Sequence, residues 1–204
     1  MTMTTTVRWL AATVLAFAAV GTQAQTAKAP EALIKEVSTD VLDAVKADKT
    51  IQAGDIRKVI ALVDQKVLPY VNFQRMTASA VGPAWRQATP EQQKQLIDQF
   101  RALLVRTYSG ALAQYRDQTM DYKPLRADAN ATEVTVRTEV IRAGQAPVQI
   151  DYSMAKGASG WKVYDVIVGG VSLVTNYRDE FNEQIKNGGV DNLIKTLQSK
   201  NTSK

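Results

Sequence analysis

The side chains that most often carry out catalysis or hold metals are absent from this chain. Its 204 residues contain no His and no Cys. A His-based catalytic triad, a thiolate nucleophile, a disulfide and a zinc site with the usual nitrogen and sulfur ligands are therefore excluded. Acid–base chemistry would fall to Asp, Glu, Lys or Tyr, and a metal site would need carboxylates alone. This inventory favours a binding function over catalysis.

One carboxylate remains a candidate for acid–base chemistry. Asp165 stands in an otherwise apolar segment, beside Tyr164 and within possible reach of Tyr152. A carboxylate inside an apolar cavity is a stronger base and could abstract a proton from a small apolar substrate. The alternative is that Asp165 lies on an outer face, paired with an Arg or with backbone amides. Because both faces of this segment are apolar, periodicity does not distinguish the two.

Basic side chains offer a third kind of chemistry. Lys and Arg number 25 and Asp and Glu number 20, so the net charge is +5. Arg101 and Arg106 fall on the polar side of a predicted long helix, and Arg116 lies near its end. Acids are interspersed and no block of basic residues occurs, which favours a solvated surface over nucleic-acid binding. A weak attraction to anionic headgroups or acidic partner surfaces stays open.

The first 24 residues have the features of a secretory signal peptide. Arg8 supplies a positive charge, residues 9–20 are predominantly apolar, and Thr22 and Ala24 are small residues at the two cleavage positions. The apolar stretch is shorter than the about 20 residues that a spanning helix needs. A buried N-terminal helix is the alternative interpretation. We expect cleavage after Ala24 and a periplasmic mature protein without an anchor.

The mature chain has the composition of one globular domain. Apolar residues make up 45% of the whole sequence and charged residues 22%. We expect a single domain over residues 25–197, which is long enough to bury a sizeable core. Residues 198–204 are predicted to form a flexible polar tail.

Helical spacing of apolar residues dominates the first half of the mature chain. Two amphipathic helices are predicted over 33–45 and 56–67. Thr89 and Pro90, with Gln92 three residues after the cap, begin a helix of about seven turns. This helix carries an aromatic stripe whose members are spaced one turn apart. Such a stripe is compatible with core packing or with the rim of a pocket. Its members are Tyr108, Leu112 and Tyr115.

The period of the apolar residues changes from 3.6 to 2 after Asp117, which predicts strands. The predicted strands are 120–125, 134–140, 148–154 and 161–168, the last with apolar residues on both faces. Intervening glycines predict an antiparallel meander of these four strands. Gly169-Gly170 would turn the chain into a helix over about 172–186, with Ser172 as its N-cap, or bend it where a pocket opens. Gly188-Gly189 would end that helix.

Helices segregated from an antiparallel sheet define an α+β domain. A curved four-stranded sheet wrapped around one long central helix resembles the NTF2-like architecture. The concave face of such a sheet would carry Val, Ile, Tyr and Met side chains, which either fill a core or line a cavity. Enzymes with NTF2-like folds place an Asp base and tyrosines inside the cone, which is the context of the Asp165 alternative.

Several stretches, in their order and spacing, resemble one known family. They are 67–71 (VLPYV), 85–92 (WRQATPEQ), Thr107-Tyr108, 160–166 (GWKVYDV), 170–178 (GVSLVTNYR), Phe181 and 189–194 (GVDNLI). This pattern resembles the MlaC family, the periplasmic phospholipid-binding proteins also called toluene-tolerance proteins, over nearly the whole mature chain. Members of the family usually carry an acid before Gly-Val-Ser, where this chain has Gly169. That departure argues against a carboxylate role at this turn.

The resemblance implies a carrier that shuttles phospholipid between the outer and inner membranes and maintains outer-membrane lipid asymmetry. Such a carrier is the substrate-binding component of an ABC transport system. Its implied partners are an inner-membrane ABC transporter complex with an MCE-domain subunit and an outer-membrane lipoprotein–porin complex. The resemblance further implies a monomer that is not an enzyme and binds no nucleic acid or cofactor, with phospholipid as cargo.

Family members hold the acyl chains in a deep apolar pocket between sheet and helices, with the headgroup near the opening. Burial of an acyl chain contributes about 0.8 kcal/mol per CH₂, so a surface groove would leave too much of it in water. We expect the pocket to be lined by Leu104, Tyr108, Leu112, Tyr115, Tyr122, Val136, Val140, Ile150, Tyr152, Val168, Val171, Leu173 and Phe181.

Overall fold

The computed structural model of the chain describes residues 28–114, 118–128 and 130–202. Its helices are α1 (Pro30–Ala47), α2 (Lys49–Gln52), α3 (Ile56–Lys66), α4 (Phe73–Val81), α5 (Pro90–Ala113) and α6 (Leu173–Thr202). Short 3₁₀ turns at Leu68–Tyr70 and Gly82–Arg86 flank α4. The predicted signal peptide and its cleavage site lie outside the described residues.

Side-chain caps fix the starts of the predicted helices. The Thr89 hydroxyl accepts a hydrogen bond from the backbone N–H of Gln92 at 3.2 Å. The Gln92 side-chain oxygen accepts one from the backbone N–H of Thr89 at 2.9 Å. This reciprocal pair satisfies two backbone groups that the helix leaves free, so the predicted start of α5 is confirmed. Asp55 likewise caps α3 by accepting from the N–H of Arg57 at 3.0 Å.

The sheet is antiparallel throughout and has the strand order β1-β2-β3-β4-β5. Its strands are β1 (Thr119–Tyr122), β2 (Glu133–Ile141), β3 (Val148–Gly157), β4 (Gly160–Val168) and β5 (Val171–Ser172). The prediction of an α+β domain with an antiparallel meander is confirmed.

The prediction of four strands is corrected by the short strand β5. Gly169 and Gly170 have φ values of 56° and 83°. Two successive left-handed residues form the two-residue turn that reverses a strand in a hairpin. Val171 therefore pairs with Val168 and Ser172 with Ile167 before α6 begins. We expected this glycine pair to lead directly into the helix.

The buried apolar side chains form three clusters. The helical cluster lies between α4, α5 and α6, where Phe100 packs edge-on against Tyr177 at 5.2 Å and Phe181 at 5.0 Å between ring centroids. The sheet cluster joins Leu33 and Ile34 of α1 to one face of the sheet. A third cluster joins the second half of α1 to α2 and α3.

The C-terminal helix α6 carries a kink at the predicted break. Gly189 has a φ of 72°, and non-helical backbone at Gly188 and Gly189 divides the helix there. The helix then continues to Thr202, where we predicted a flexible tail from residue 198. The Asn201 amide donates to the carbonyl of Gln99 at 2.9 Å, and Lys200 pairs with Glu180. These contacts tie the end of α6 to α5 and to its own first half.

None of the helices in the described part of the chain is long and apolar enough to cross a membrane.

Candidate functional site

The register of the sheet brings many predicted site residues onto one face, which we name the apolar face. Tyr152 lies opposite Val136 on one side and Val166 on the other. The neighbouring row joins Tyr122, Thr138, Ile150, Val168 and Val171 across all five strands. Paired residues of antiparallel strands point to the same face, so these side chains are neighbours. A third row contains Met120, Val140 and Val148.

Exposure increases across the apolar face, although Thr138 within it is fully buried. At one end, Met154 is fully buried and Val163 is 5% exposed, because Leu33 and Ile34 of α1 pack on them. At the other end, Val148 is 45% and Val171 is 56% exposed. Ile150 and Val168, between these ends, are half-buried. One end of the face is therefore a filled core, whereas the other offers apolar surface to a ligand.

The predicted site residues on the helices lie in two different environments. Leu104, Leu173 and Phe181 belong to or pack on the helical cluster, and Phe181 is fully buried there. Tyr108, one turn after Leu104, is 37% exposed. Burial of its ring raises the pKa of Tyr108, and the neighbouring phenol of Tyr177 adds to that rise. Helix α5 thus emerges from the helical cluster at Tyr108.

The structure does not test the lipid contacts assigned to these positions, and they remain predictions. The side chain of Leu112 and the whole of Tyr115 lie outside the described residues.

Three hydroxyl groups meet in the middle of the apolar face. The hydroxyls of Thr138 and of Ser38 from α1 lie beside the phenol of Tyr152. The Thr138 hydroxyl donates to the carbonyl of Ile150 at 2.8 Å. Burial raises the pKa of Tyr152 to about 12, and the two hydroxyl partners oppose that rise. Burial of a polar group costs less beside other polar groups, so the hydroxyls of Thr138 and Ser38 favour this position of the phenol.

Some residues of the apolar face escaped the sequence prediction. Thr138, Val148 and Val166 share the period of the predicted strand residues, so the alternation itself indicates them. Ser38 carries no such signal, because its contact with Tyr152 depends on how α1 crosses the sheet. Helix–sheet packing of this kind is long-range and is not encoded in local spacing.

Asp165 lies on the outer face of the sheet, which is the second of the two arrangements that the sequence allowed. It lies opposite Ser153 and therefore on the other face from Tyr152. Its Oδ2 accepts from the Ser172 hydroxyl at 2.6 Å, and its Oδ1 accepts from the N–H of Val174 at 3.1 Å. These contacts take the carboxylate away from the apolar face, so the general-base alternative is not favoured.

Ser172 forms the cap that the sequence predicted for the last helix. Its hydroxyl oxygen accepts from the backbone N–H of Thr175 at 3.0 Å while its hydrogen is donated to Asp165. The positive end of the helix dipole meets the Asp165 carboxylate at this point. The two side chains together fix the start of α6 against β4.

A second polar group ties α4 to the outer face of the sheet. The guanidinium of Arg75 lies 3.7 Å from the ring centroid of Tyr164 and donates to Glu133 at 2.7 Å. The Tyr164 hydroxyl donates to the same carboxylate at 3.1 Å. The hydrogen bond from Arg75 lowers the pKa of Glu133, whereas burial raises that of Tyr164. Both residues have structural partners and point away from the apolar face.

Two surface clefts have polar linings and contain none of the predicted site residues. One, of about 280 Å³, lies between α1 and α3 beside Asp40 and Lys66. The other, of about 360 Å³, lies between the start of α4 and the β3–β4 turn beside Lys156 and Lys162. Among the described residues, no group of three or more carboxylates could hold a metal ion. The apolar face remains the best candidate for ligand binding.

The fold and this face define a class of protein: an α+β domain whose antiparallel sheet presents one apolar face, with helix α1 packed on one end of it. The chain belongs to the MlaC family, since the family model described as MlaC protein matches residues 35–199. The resemblance of the sequence motifs is thereby confirmed.

Two curated relatives match most of the chain. The intermembrane phospholipid transport system binding protein MlaC of Haemophilus influenzae is 24% identical over 172 residues, which cover 83% of this chain and 80% of that protein. The toluene tolerance protein ttg2D of Pseudomonas putida is 27% identical over 172 residues, covering 84% of this chain and 79% of that protein. Both relatives are matched over most of their length.

A solved structure is similar in both fold and sequence. It is that of the phospholipid-binding protein from Ralstonia solanacearum in complex with a phospholipid. The TM-score is 0.81 and the sequence identity is 46%, covering 84% of this chain and 96% of that chain. The α+β fold is therefore shared with a protein that binds a phospholipid.

Proposed function

We propose that this protein binds a phospholipid by laying its acyl chains against the open part of the apolar face. The observation that carries the proposal is the change along single strands from fully buried Met154 to exposed Val148. A core side chain has no reason to be exposed, whereas the wall of a ligand site does. The phospholipid-bound relative from Ralstonia solanacearum, at 46% identity, supports the same ligand.

The energetics of acyl chains favour a pocket closed by helices as well as the sheet. Each CH₂ taken out of water contributes about 0.8 kcal/mol, so a bilayer holds two chains with a gross free energy on the order of 20 kcal/mol. A carrier that competes with a bilayer must replace nearly all of that apolar contact. The α5 side, where Tyr108 emerges, supplies the opposite wall in this proposal, and the headgroup stays at the exposed end near Val171.

We propose further that the fold forms an NTF2-like cone and that the protein carries phospholipid between two membranes. It would serve as the substrate-binding component of an ABC transport system and maintain outer-membrane asymmetry. The name of the Haemophilus influenzae relative, an intermembrane phospholipid transport system binding protein, supports this role. The N-terminal sequence with its apolar stretch and small residues supports a periplasmic location after cleavage behind Ala24.

The proposed activity is binding rather than catalysis, with phospholipid as cargo and no cofactor. Asp165, the candidate base, is engaged by Ser172 and by the start of α6. We propose that the protein works as a monomer. It would dock alternately on an inner-membrane ABC transporter complex with an MCE-domain subunit and on an outer-membrane lipoprotein–porin complex.

A glutamate placed on the apolar face tests the proposed site. Ile150→Glu should abolish co-purified phospholipid, because a carboxylate among acyl chains must bring water or take up a proton. Ile141→Glu is the matched control, since Ile141 lies on the outer face and is 39% exposed. Bound phosphorus, phospholipid by mass spectrometry and thermal unfolding are measured on the same samples.

We expect stoichiometric phospholipid in wild-type protein and in Ile141→Glu, and none in folded Ile150→Glu. A folded Ile150→Glu protein with stoichiometric phospholipid would contradict the assignment of this face. Wild-type protein that never binds phospholipid, either on purification or from vesicles, would contradict the proposed function itself.

A further inference from the structure

Helix α1 leaves the sheet at Ser38. Leu33, Ile34 and Val37, before that residue, pack in the sheet cluster. Val41 and Val45, after it, pack instead against α2 and α3. The first half of α1 is therefore the cover of the apolar face, and that cover ends at Ser38.

Tyr152 stands where the cover ends. The row behind it, with Met154 and Val163, is buried beneath α1, whereas Ile150 and Val168 in the row in front of it are half-buried. Its two neighbours in its own row are valines, Val136 and Val166. The phenol ring is thus the largest side chain at the boundary between the filled core and the open face.

The hydroxyl group of Tyr152 has polar neighbours at this boundary. It lies beside the hydroxyls of Ser38 on α1 and of Thr138 on β2, and the ring packs against the sheet cluster of α1 and the strands. Thr138 is fully buried and is itself fixed by its bond to the Ile150 carbonyl. A ring packed against a helix and two neighbouring strands cannot move aside cheaply for a longer ligand.

We propose that Tyr152 is the floor of the acyl-chain pocket and sets the length of the acyl chains that the protein accepts. The inference rests on the proposed function, since it assigns a selecting residue to that same site. The ends of the chains meet the phenol ring, and beyond it the space is already filled by Met154 and the side chains of α1. A smaller side chain at this position lengthens the pocket, and a larger one shortens it.

Two substitutions, one to a smaller and one to a larger side chain, test whether Tyr152 is the floor of the pocket. Purified protein, stripped of lipid, is incubated with vesicles that contain equal amounts of short-, medium- and long-chain phosphatidylglycerol, and the bound species are measured by mass spectrometry. Tyr152→Leu should raise the ratio of long to short chains by about tenfold, the low end of the discrimination that one methylene gives in an apolar pocket. Tyr152→Trp should lower the ratio by a similar factor.

Two further variants distinguish the effect of side-chain volume at position 152 from the effect of losing a hydroxyl or a tyrosine elsewhere. Tyr152→Phe keeps the ring and should keep the wild-type ratio, because the ring rather than the hydroxyl meets the chains. Tyr164→Leu makes the same change in size as Tyr152→Leu, but Tyr164 bonds to Arg75 and Glu133 away from the apolar face. It should also keep the wild-type ratio.

The possible outcomes distinguish this inference from the proposed function. An unchanged ratio in folded Tyr152→Leu and Tyr152→Trp, with phospholipid still bound, overturns the assignment of the floor and leaves phospholipid binding intact. If Tyr152→Leu does not fold, Tyr152→Trp decides alone. Wild-type protein that takes up no phospholipid from these vesicles overturns the proposed function as well.

Discussion

Two polar residues of β3 and β4, Tyr152 and Asp165, have opposite surroundings. The phenol points into the apolar face and finds hydroxyl partners there, whereas the carboxylate lies on the other face and meets the start of α6. A neutral hydroxyl beside other hydroxyls is tolerated among apolar groups, but a charged carboxylate needs charge-assisted donors. The chemistry of each side chain therefore matches the face on which it lies.

At the scale of single residues, we predict that Asp165 stabilises the fold without taking part in lipid binding. Asp165→Ala leaves the N–H of Val174 and the hydroxyl of Ser172 without their acceptor. We expect the free energy of unfolding to fall by about 2 kcal/mol, as for hydrogen bonds to a charged group. Urea denaturation measures this loss.

Asp165→Asn is the matched control for this prediction. An amide keeps one acceptor oxygen in place, so the loss should be about 1 kcal/mol. Folded Asp165→Ala should carry as much phospholipid as wild-type protein. Loss of phospholipid at unchanged stability would instead place the carboxylate at the site.

At the scale of elements, the hairpin of Gly169 and Gly170 decides how the sheet ends. Its left-handed backbone returns the chain for two residues as β5, which places Val171 beside Val168 on the apolar face. The turn then delivers Ser172 to the start of α6, where it acts as the cap. A direct passage from β4 to α6 would leave Val171 away from this row.

We predict opposite effects of one substitution at two glycines. Gly170 has a φ of 83° with open space around its Cα, so Gly170→Ala should cost about 1–2 kcal/mol through backbone strain alone. Gly110 lies in α5, also in open space, and Gly110→Ala should stabilise the protein by about 0.5–1 kcal/mol. Urea denaturation of both variants shows whether the free energy of unfolding falls or rises. Equal effects at the two positions would argue against a turn that depends on the left-handed conformation.

At the scale of the whole molecule, the three apolar clusters make the two ends of the apolar face different. The sheet cluster closes one end with α1, while the helical cluster packs around Phe100 beyond the sheet. Neither cluster covers Val148 or Val171, which stay exposed. A ligand with long apolar chains and a polar head matches such a face, because its head remains in water.

We predict that a carrier of this kind docks transiently on partners in both membranes. Site-specific crosslinkers at exposed positions around the open end, such as Val148 and Val171, should trap one inner-membrane and one outer-membrane partner in cells. Crosslinkers at Arg57 on α3, away from this face, are the control and should trap less. Recovery of neither partner, in cells whose lipid asymmetry depends on the protein, would count against the shuttle.

The elements of the fold could be predicted because their signals are local. Thr89, Pro90 and Gln92 form a capping box within four residues, and the alternation of Val134, Val136 and Thr138 follows from the pleat of a strand. The break at Gly188-Gly189 could also be predicted from the sequence, since glycine accepts backbone conformations that other residues avoid. The strand β5 was missed because two residues are too few to show a period.

The site was predicted only in part, for the same reason. Tyr122, Val136, Val140, Ile150, Tyr152, Val168 and Val171 share the apolar face, as strand alternation and antiparallel pairing require. Nothing in the local pattern distinguished the filled end of this face from its open end. That difference arises from α1, whose residues lie more than a hundred positions earlier in the chain.

The sequence by itself determined the absence of His and Cys chemistry, the α+β class, the meander and the family, since composition, period and motif spacing are properties of a linear chain. Only the tertiary structure decided which face Asp165 occupies, where α1 leaves the sheet, and that Tyr152 stands at that boundary. Burial and hydrogen-bond partners depend on side chains far apart in sequence, and the packing of helices on the sheet brings those side chains together.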